Sequence, residues 1–300
     1  MKPSVSLQSG EYILLYASFK EWLTLLNYAP GTRQVIPYHV REFLAYQEGA
    51  GKVQIAQITA LDAQAFMEHI TTKIGPRTGR PYSVGHVNKY IQALGLLNRY
   101  LLQTTKVQGG FTLHWQKPQR SIPTWLTVAE VERLYTSTTD TILGMRDRAM
   151  LAVYYGCGLR LNEGASLEVR DILLDRGIVH VRKGKGYKER FVPLALAGKK
   201  TLAQYLANGR PELMQERRTE ALFIGAGKGL PMHTQSLYIR IKALAVKAGI
   251  KKKVGTHTLR HSIATHLLQS GMKLERIKDF LGHDSLDSTQ IYTHLVNGML

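Results

Sequence analysis

The chain has 300 residues, 44% of them hydrophobic, with one cysteine and a mean hydropathy of -0.17. Its 40 lysines and arginines outnumber 22 aspartates and glutamates, giving a formal net charge of +18 and a pI near 9.9. The single cysteine excludes a disulfide-framed scaffold, no stretch of the sequence approaches the roughly 20 consecutive apolar residues of a membrane span, and the charge favours a polyanionic partner such as nucleic acid.

The start of the chain, "MKPSVSLQSGEY", lacks the apolar middle of a signal peptide, so a cytoplasmic, nucleoid-associated protein is expected. Four helices are predicted in the first third: 11–28, 32–47, 59–73 and 83–103, each with apolar residues at three- and four-residue spacing. Thr32 is a candidate cap for the second, with Pro37 implying a kink or a late start. Thr59 and Asp62 resemble a capping box at the start of the third. No strand is convincing here, so this part reads as a small all-α domain. "GPRTGRPY" (75–82) is a basic loop within it.

Polar residues, Gly109-Gly110, Pro118 and Pro123 then interrupt the periodicity, which predicts an interdomain linker. The expected organisation is an N-terminal domain over 1–108, a linker over 109–123 and a second domain over 124–300. In that second domain Thr127, with Glu130 reaching back, opens a helix. "GMRDRAMLAVYYGCGLRLNEGASL" (144–167) reads as a helix, a glycine-rich turn and a new helix start, and its Cys157 as a small core residue. "GIVHVRKGKGYKERFVPL" (177–194) is the one good strand signal, two β-rich runs around a glycine-bearing turn. The rest is helical, including "LERIKDFLGH" (274–283), which stops at Gly282.

The polar residues at these turns and helix ends suggest a site. In "THTLRHSIATHLL" (256–268) His257 and Arg260 share a face near a helix start, where an anion is already favoured. Arg160 follows "YGCG" at another helix start. Lys185 stands at the hairpin tip between Gly184 and Gly186, His283 follows a helix-ending glycine, and Tyr292 lies nine residues further on. A guanidinium, an imidazole and a helix start at one spot suit a phosphate. Metal ligation is not expected, since "HEXXH" and similar patterns are absent, and no cofactor is expected.

Taken in order, "GCGLRLNE", "KGKGYKERFVPL", "HTLRHSIATHLL" and "LGHDSLDSTQIYTH" resemble the tyrosine recombinase family, with Xer-like recombinases and related integrases the most similar in pattern. The resemblance spans most of 123–294 and, more loosely, the helical first third. It implies a mainly α protein of two domains: a four-helix, SAM-like DNA-binding domain and a mixed α/β catalytic domain with a small antiparallel sheet. It implies an enzyme that cleaves and rejoins duplex DNA through a 3′-phosphotyrosyl intermediate without metal or ATP. Tyr292 matches the nucleophile, and Arg160 and Arg260 the pair that clamps the non-bridging oxygens. His283 matches a further phosphate donor, Lys185 the general acid and His257 the general base or a donor.

The implied partners are a specific double-stranded site and further copies of the chain: a tetramer on two sites, a monomer or weak oligomer without DNA. A second recombinase or an accessory protein could join them, and no membrane is involved. From charge alone Arg77, Arg80 and Lys89 in the first domain, and Lys188, Arg190, Lys251, Lys252 and Lys253 in the second, are candidate DNA contacts. His261 and His266 are expected to pack or touch the DNA backbone, and Glu163 to buttress an arginine or cap a helix.

Three departures from the family pattern stand out. Eight residues follow Tyr292, where family members commonly carry another helix that couples protomers. Gly164 and Ala165 replace larger apolar residues, which is expected to loosen local packing. Two aspartates in "LGHDSLDS" place negative charge near the DNA. A DNA-binding regulatory protein of the same fold and a type IB topoisomerase-like relaxing enzyme are the alternatives. Chromosome-dimer resolution and mobile-element integration or excision are both open.

Overall fold

The computed structural model describes residues 6–76, 78–104, 110–117, 123–182, 189–283, 285–286, 288–290 and 292–293. The chain divides into two units, Met1–Arg120 and Ser121–Leu300.

The first unit holds helices α1 (Gly10–Leu25), α2 (Pro30–Gly49), α3 (Ala60–Thr72) and α4 (Val84–Gln103). Their apolar stripes close on one core in which Tyr12, Phe19, Phe43, Phe66, Tyr90 and Leu94 are fully or almost fully buried. The Thr59–Asp62 capping box forms: the Asp62 carboxylate accepts from Thr59 N at 2.8 Å, and Thr59 Oγ1 accepts from Asp62 N at 3.4 Å. The second helix departs from expectation. It starts at Pro30, in the first helical position, where the missing N–H costs nothing, and it runs through Pro37. Burial of Ile36, Val40, Phe43 and Leu44 on the same face holds it across that proline.

The segment expected to be linker is anchored to the first unit over part of its length. Phe111 enters the core, and its N–H donates to Asn98 Oδ1 at 3.2 Å. Asn88 grips the backbone of Gln116 twice, at 2.8 and 3.0 Å.

The second unit begins with α5 (Val128–Thr136), capped by Thr127 and Glu130 as anticipated. Next come α6 (Ile142–Leu151), a π-helical turn over Ala152–Gly156 and the short α7 (Leu161–Ala165). Strands β1 (Ile172–Leu173), β2 (Ile178–Val181) and β3 (Arg190–Pro193) form an antiparallel sheet in that order. The register pairs Val181 with Arg190 and His180 with Phe191. The hairpin is therefore present, with a third short strand added, while its tip, including Lys185, lies outside the described residues. Helices α8 (Leu196–Gln204), α9 (Arg210–Met214), α10 (Thr234–Lys247), α11 (Thr256–Gln269) and α12 (Leu274–Leu281) complete the unit.

Cys157 is a buried thiol in this core. Beneath α10, the fully buried Asp147 carboxylate holds Arg240 at 2.9 and 3.0 Å and neighbours Arg146 at 3.4 Å. Gly164 does not loosen the packing as expected. A Cβ there would sit 2.5 Å from Cε1 of Tyr154, whose fully buried ring occupies the space of a side chain. Among the described residues no helix is long and apolar enough to cross a membrane.

Candidate active site

Three arginines that are far apart in sequence meet at one helix end. Helix α12 closes at Gly282, whose φ of 66° is left-handed and suits a residue without a Cβ. Its final carbonyls would lack intrahelical partners, and guanidiniums satisfy them. Arg190 Nε donates to Phe280 O at 3.4 Å, Arg260 Nη2 to Leu281 O at 2.7 Å and Arg160 Nη2 to Gly282 O at 3.0 Å. Arg260 also donates to Gly158 O at 2.6 Å.

Among the described residues one carboxylate faces this cluster. Glu163 accepts from Arg160 Nη1 at 2.7 Å, from Arg160 N at 2.9 Å and from both terminal nitrogens of Arg190 at 2.8 and 3.2 Å. Arg260 Nη1 lies 4.0 Å from it. Burial alone would push the Glu163 carboxyl up. The hydrogen bonds and charge of Arg190, then those of Arg160, overcome it and hold the pKa at about 2. Glu163 thus buttresses arginine, as the sequence reading allowed.

The arginines are not equivalent. Arg190 has all three side-chain nitrogens engaged, whereas Arg160 and Arg260 each make only two side-chain hydrogen bonds to described residues. A guanidinium carries five N–H groups, so these two keep donors for a ligand. Burial and then Arg160 lower the Arg260 pKa to about 10, which leaves it charged at neutral pH.

Tyr292 is brought to the same place. It is 1% exposed, and its hydroxyl lies 3.0 Å from His261 Nδ1. Burial raises its pKa, while Arg260 and Arg160 are near enough to pull against that rise. Burial, then His257 and Arg260, lowers His261 to about 4, so the ring is neutral at pH 7. His283 is half-buried, with Nδ1 3.0 Å from Thr289 Oγ1. Burial, then Arg260 and Arg160, lowers it to about 4 as well. His257 makes no hydrogen bond to a described residue, and desolvation, Arg260 and Arg160 lower its pKa.

His257 stands at the edge of a cleft of about 400 Å³ at the start of α11, with Lys253, Gly255, Thr258, Tyr238 and Lys242 among its lining. Lys242 lies 5.6 Å over the Tyr238 ring.

The structure therefore gathers Arg160, His257, Arg260, His283 and Tyr292, five of the six expected catalytic residues. Lys185, Lys188 and Arg77 lie outside the described residues. Among the expected DNA contacts, Arg190 is corrected: it folds inward because its strand register points it at a buried carboxylate. Lys252 is also engaged within the protein, donating to Glu130 at 2.6 Å and to Trp125 O at 3.1 Å. Lys251, Lys253, Lys89 and Arg80 are exposed. Arg80 lines a separate hollow in the first unit with Tyr82, Ser83 and His86. His266, expected to pack or touch DNA, packs: Tyr155 Oη lies 2.9 Å from its Nδ1.

Sequence reasoning missed the His261–Tyr292 contact. The available signal was the position of His261 directly after Arg260 at the start of a helix. Among the described residues no group of three His, Cys, Asp or Glu side chains is placed to hold a metal.

A tyrosine hydroxyl beside two guanidiniums with free donors and neutral imidazoles is equipped for phosphoryl transfer to tyrosine, the guanidiniums facing the charge on phosphorus. Comparison with known proteins agrees. The model of the phage integrase family matches residues 124–298. The tyrosine recombinase XerD of Pseudomonas aeruginosa is 34% identical over 275 residues, covering 91% of this chain and 89% of that protein. XerD of Listeria innocua is 38% identical over 214 residues, covering 70% and 71%. The pre-cleavage complex of the XerH site-specific recombinase with its difH substrate superposes with a TM-score of 0.70 at 21% identity, covering 97% and 95% of the two chains. The chain belongs to the phage integrase family and is a site-specific tyrosine recombinase.

Proposed function

We propose that this recombinase binds a specific duplex DNA site, and that Tyr292 attacks the scissile phosphate to give a 3′-phosphotyrosyl link and a free 5′-hydroxyl. Arg160 and Arg260 hold the non-bridging oxygens with the N–H groups not spent on Glu163, Gly158, Leu281 and Gly282. His283, neutral and braced by Thr289, adds a donor, and His257 another from the mouth of the cleft. Lys185 protonates the leaving 5′-oxygen. The covalent link conserves the energy of the phosphodiester, so rejoining needs no ATP. Fixed guanidiniums supply the charge neutralisation a metal would otherwise provide, and no cofactor takes part.

Lys242, Lys253 and the start of α11 bind a neighbouring phosphate, while Lys251 and, in the first unit, Arg77, Arg80 and Lys89 contact the backbone elsewhere. Lys188 belongs to this set on the hairpin. Residues 1–108 form the DNA-binding domain, 124–300 the catalytic one. The working assembly is a tetramer on two sites, formed on DNA from monomers or weak oligomers. XerH is named with a DNA substrate in its complex, and the same use of this chain's site is the simplest account of its excess positive charge.

The observation that carries this reading is the Tyr292 hydroxyl set beside the arginine pair. The test is covalent trapping on a duplex selected with the protein from randomised DNA and nicked beside the cleavage position. A protein–DNA band on a denaturing gel, formed in EDTA and lost in Tyr292→Phe, is expected. Tight DNA binding with no covalent band would refute it.

A further inference from the structure

The tyrosine nucleophile must lose a proton as its bond to phosphorus forms, and the expected acceptor, His257, is not the histidine that touches it. His261 is, with Nδ1 3.0 Å from the Tyr292 hydroxyl. We infer that His261 is the general base of the cleavage step, accepting the Tyr292 proton at Nδ1; this rests on the assignment of Tyr292 as nucleophile.

Helix and packing fix the acceptor. His261 lies in the second turn of α11, with its backbone carbonyl bonded to the Thr265 hydroxyl at 2.9 Å. Tyr292 is fully packed against Ala264, Ile277 and Leu281, so its ring position is set by apolar contacts rather than by the hydrogen bond alone. His261 is neutral at pH 7 because burial, His257 and Arg260 all oppose its protonation. One ring nitrogen therefore carries a lone pair at rest, and in the tautomer with the proton on Nε2 that nitrogen is Nδ1, the one that meets Tyr292. A base this weak would not ionise a tyrosine by itself. Two changes on catalysis close the gap. The hydroxyl becomes strongly acidic as its oxygen bonds to phosphorus, and the arriving phosphate charge offsets Arg260 and Arg160, raising the proton affinity of the imidazole.

The step balances. The Tyr292 Oη–P bond forms, the P–O5′ bond breaks, the Tyr292 proton goes to His261 Nδ1, and a second proton reaches the 5′-oxygen from Lys185. On rejoining, the imidazolium returns its proton to the departing tyrosyl oxygen. The scheme gives His257 a substrate contact and His261 the proton.

The test uses full-length protein on the nicked, selected duplex, with a normal 5′-oxygen or a 5′-sulfur at the cleaved bond; the thiolate leaves without an acid. His261→Ala and His261→Asn are expected to bind DNA as the parent does and to form the covalent link about 10²–10⁴-fold more slowly. Sulfur is expected to restore Lys185→Ala but neither His261 variant, and added imidazole is expected to restore part of the rate of His261→Ala. Asparagine keeps a hydrogen-bond partner for the hydroxyl but cannot take a proton, so a full rate in His261→Asn would reduce His261 to positioning and overturn the inference. Parental or faster cleavage by His261→Ala would overturn it also. A covalent band persisting in Tyr292→Phe would instead refute the choice of nucleophile, and this inference with it.

Discussion

Replacing Glu163 by glutamine keeps the shape and removes the only carboxylate that faces Arg160, Arg190 and Arg260 among the described residues. Glu163 is 3% exposed and bonded to two guanidiniums. Removing one partner of a buried pair typically costs about 3–5 kcal/mol. The ionisation gives an independent figure. With a folded pKa of about 2 against about 4.3 for a free glutamate, the charge accounts for roughly 3 kcal/mol at neutral pH. Because the folded value is the lower one, this stability is fully present above about pH 4.3 and is lost as the pH falls towards 2. Urea unfolding of the parent and Glu163→Gln, followed through the second unit's transition at pH 7, 5, 4 and 3, separates this from a mere packing defect. The difference should be about 3 kcal/mol at pH 7 and shrink steadily below pH 4.3. A difference under about 1 kcal/mol at pH 7, or one independent of pH, would refute the hub role of the carboxylate.

Gly282→Ala forces a side chain into left-handed backbone and sets its Cβ 2.9 Å from Cδ and Nε of Arg190. A loss of about 1–2 kcal/mol is expected in thermal unfolding, with slower covalent-link formation. Gly164→Ala puts a methyl within 2.5 Å of the Tyr154 ring; overpacking of about 1–3 kcal/mol should appear in the same melt, and an unchanged melting temperature would show that the ring yields freely. Asn88→Ala deletes both bonds to the Gln116 backbone, beside the exposed Trp115. Chymotryptic cleavage at Trp115 should accelerate, while unchanged kinetics would mean that Phe111, Leu113 and the bond to Asn98 pin the segment without Asn88.

What was legible in the sequence was local. The boxes at Thr59–Asp62 and Thr127–Glu130 each close within four residues, and β2 and β3 carry enough alternation to be seen. The two-residue β1 has no pattern of its own and exists only through its pairing with β2. The start of α2 was misplaced because Pro30 and the Thr32 hydroxyl are both plausible openings, and only the packed core decides between them. Arg190 looked like a DNA contact because alternation along β3 does not say which face meets a carboxylate 27 residues away. The His261–Tyr292 contact spans 31 residues and depends on where the chain after α12 returns to α11. Composition and spacing assembled the right residue types, while the division of labour among them is long-range.

That division leaves a charge imbalance with a measurable consequence. Among the described residues three guanidiniums share one carboxylate and the negative end of α12, worth about half a charge, so roughly one and a half positive charges are left without a described counter-charge. They sit where Arg160 and Arg260 keep donors not spent on described residues. An oxyanion that binds there is therefore expected to stabilise the folded protein. Inorganic phosphate is the simplest probe. At ten times its dissociation constant it would add about 1.4 kcal/mol, raising the melting temperature above that in sodium chloride of equal ionic strength. Arg160→Gln lowers the local charge and removes half of the donor pair, so most of that excess should vanish. If phosphate and chloride stabilise the parent equally, or if the excess survives unchanged in Arg160→Gln, the arginine pair is not a phosphate site. The donors counted as free would then already be satisfied within the protein.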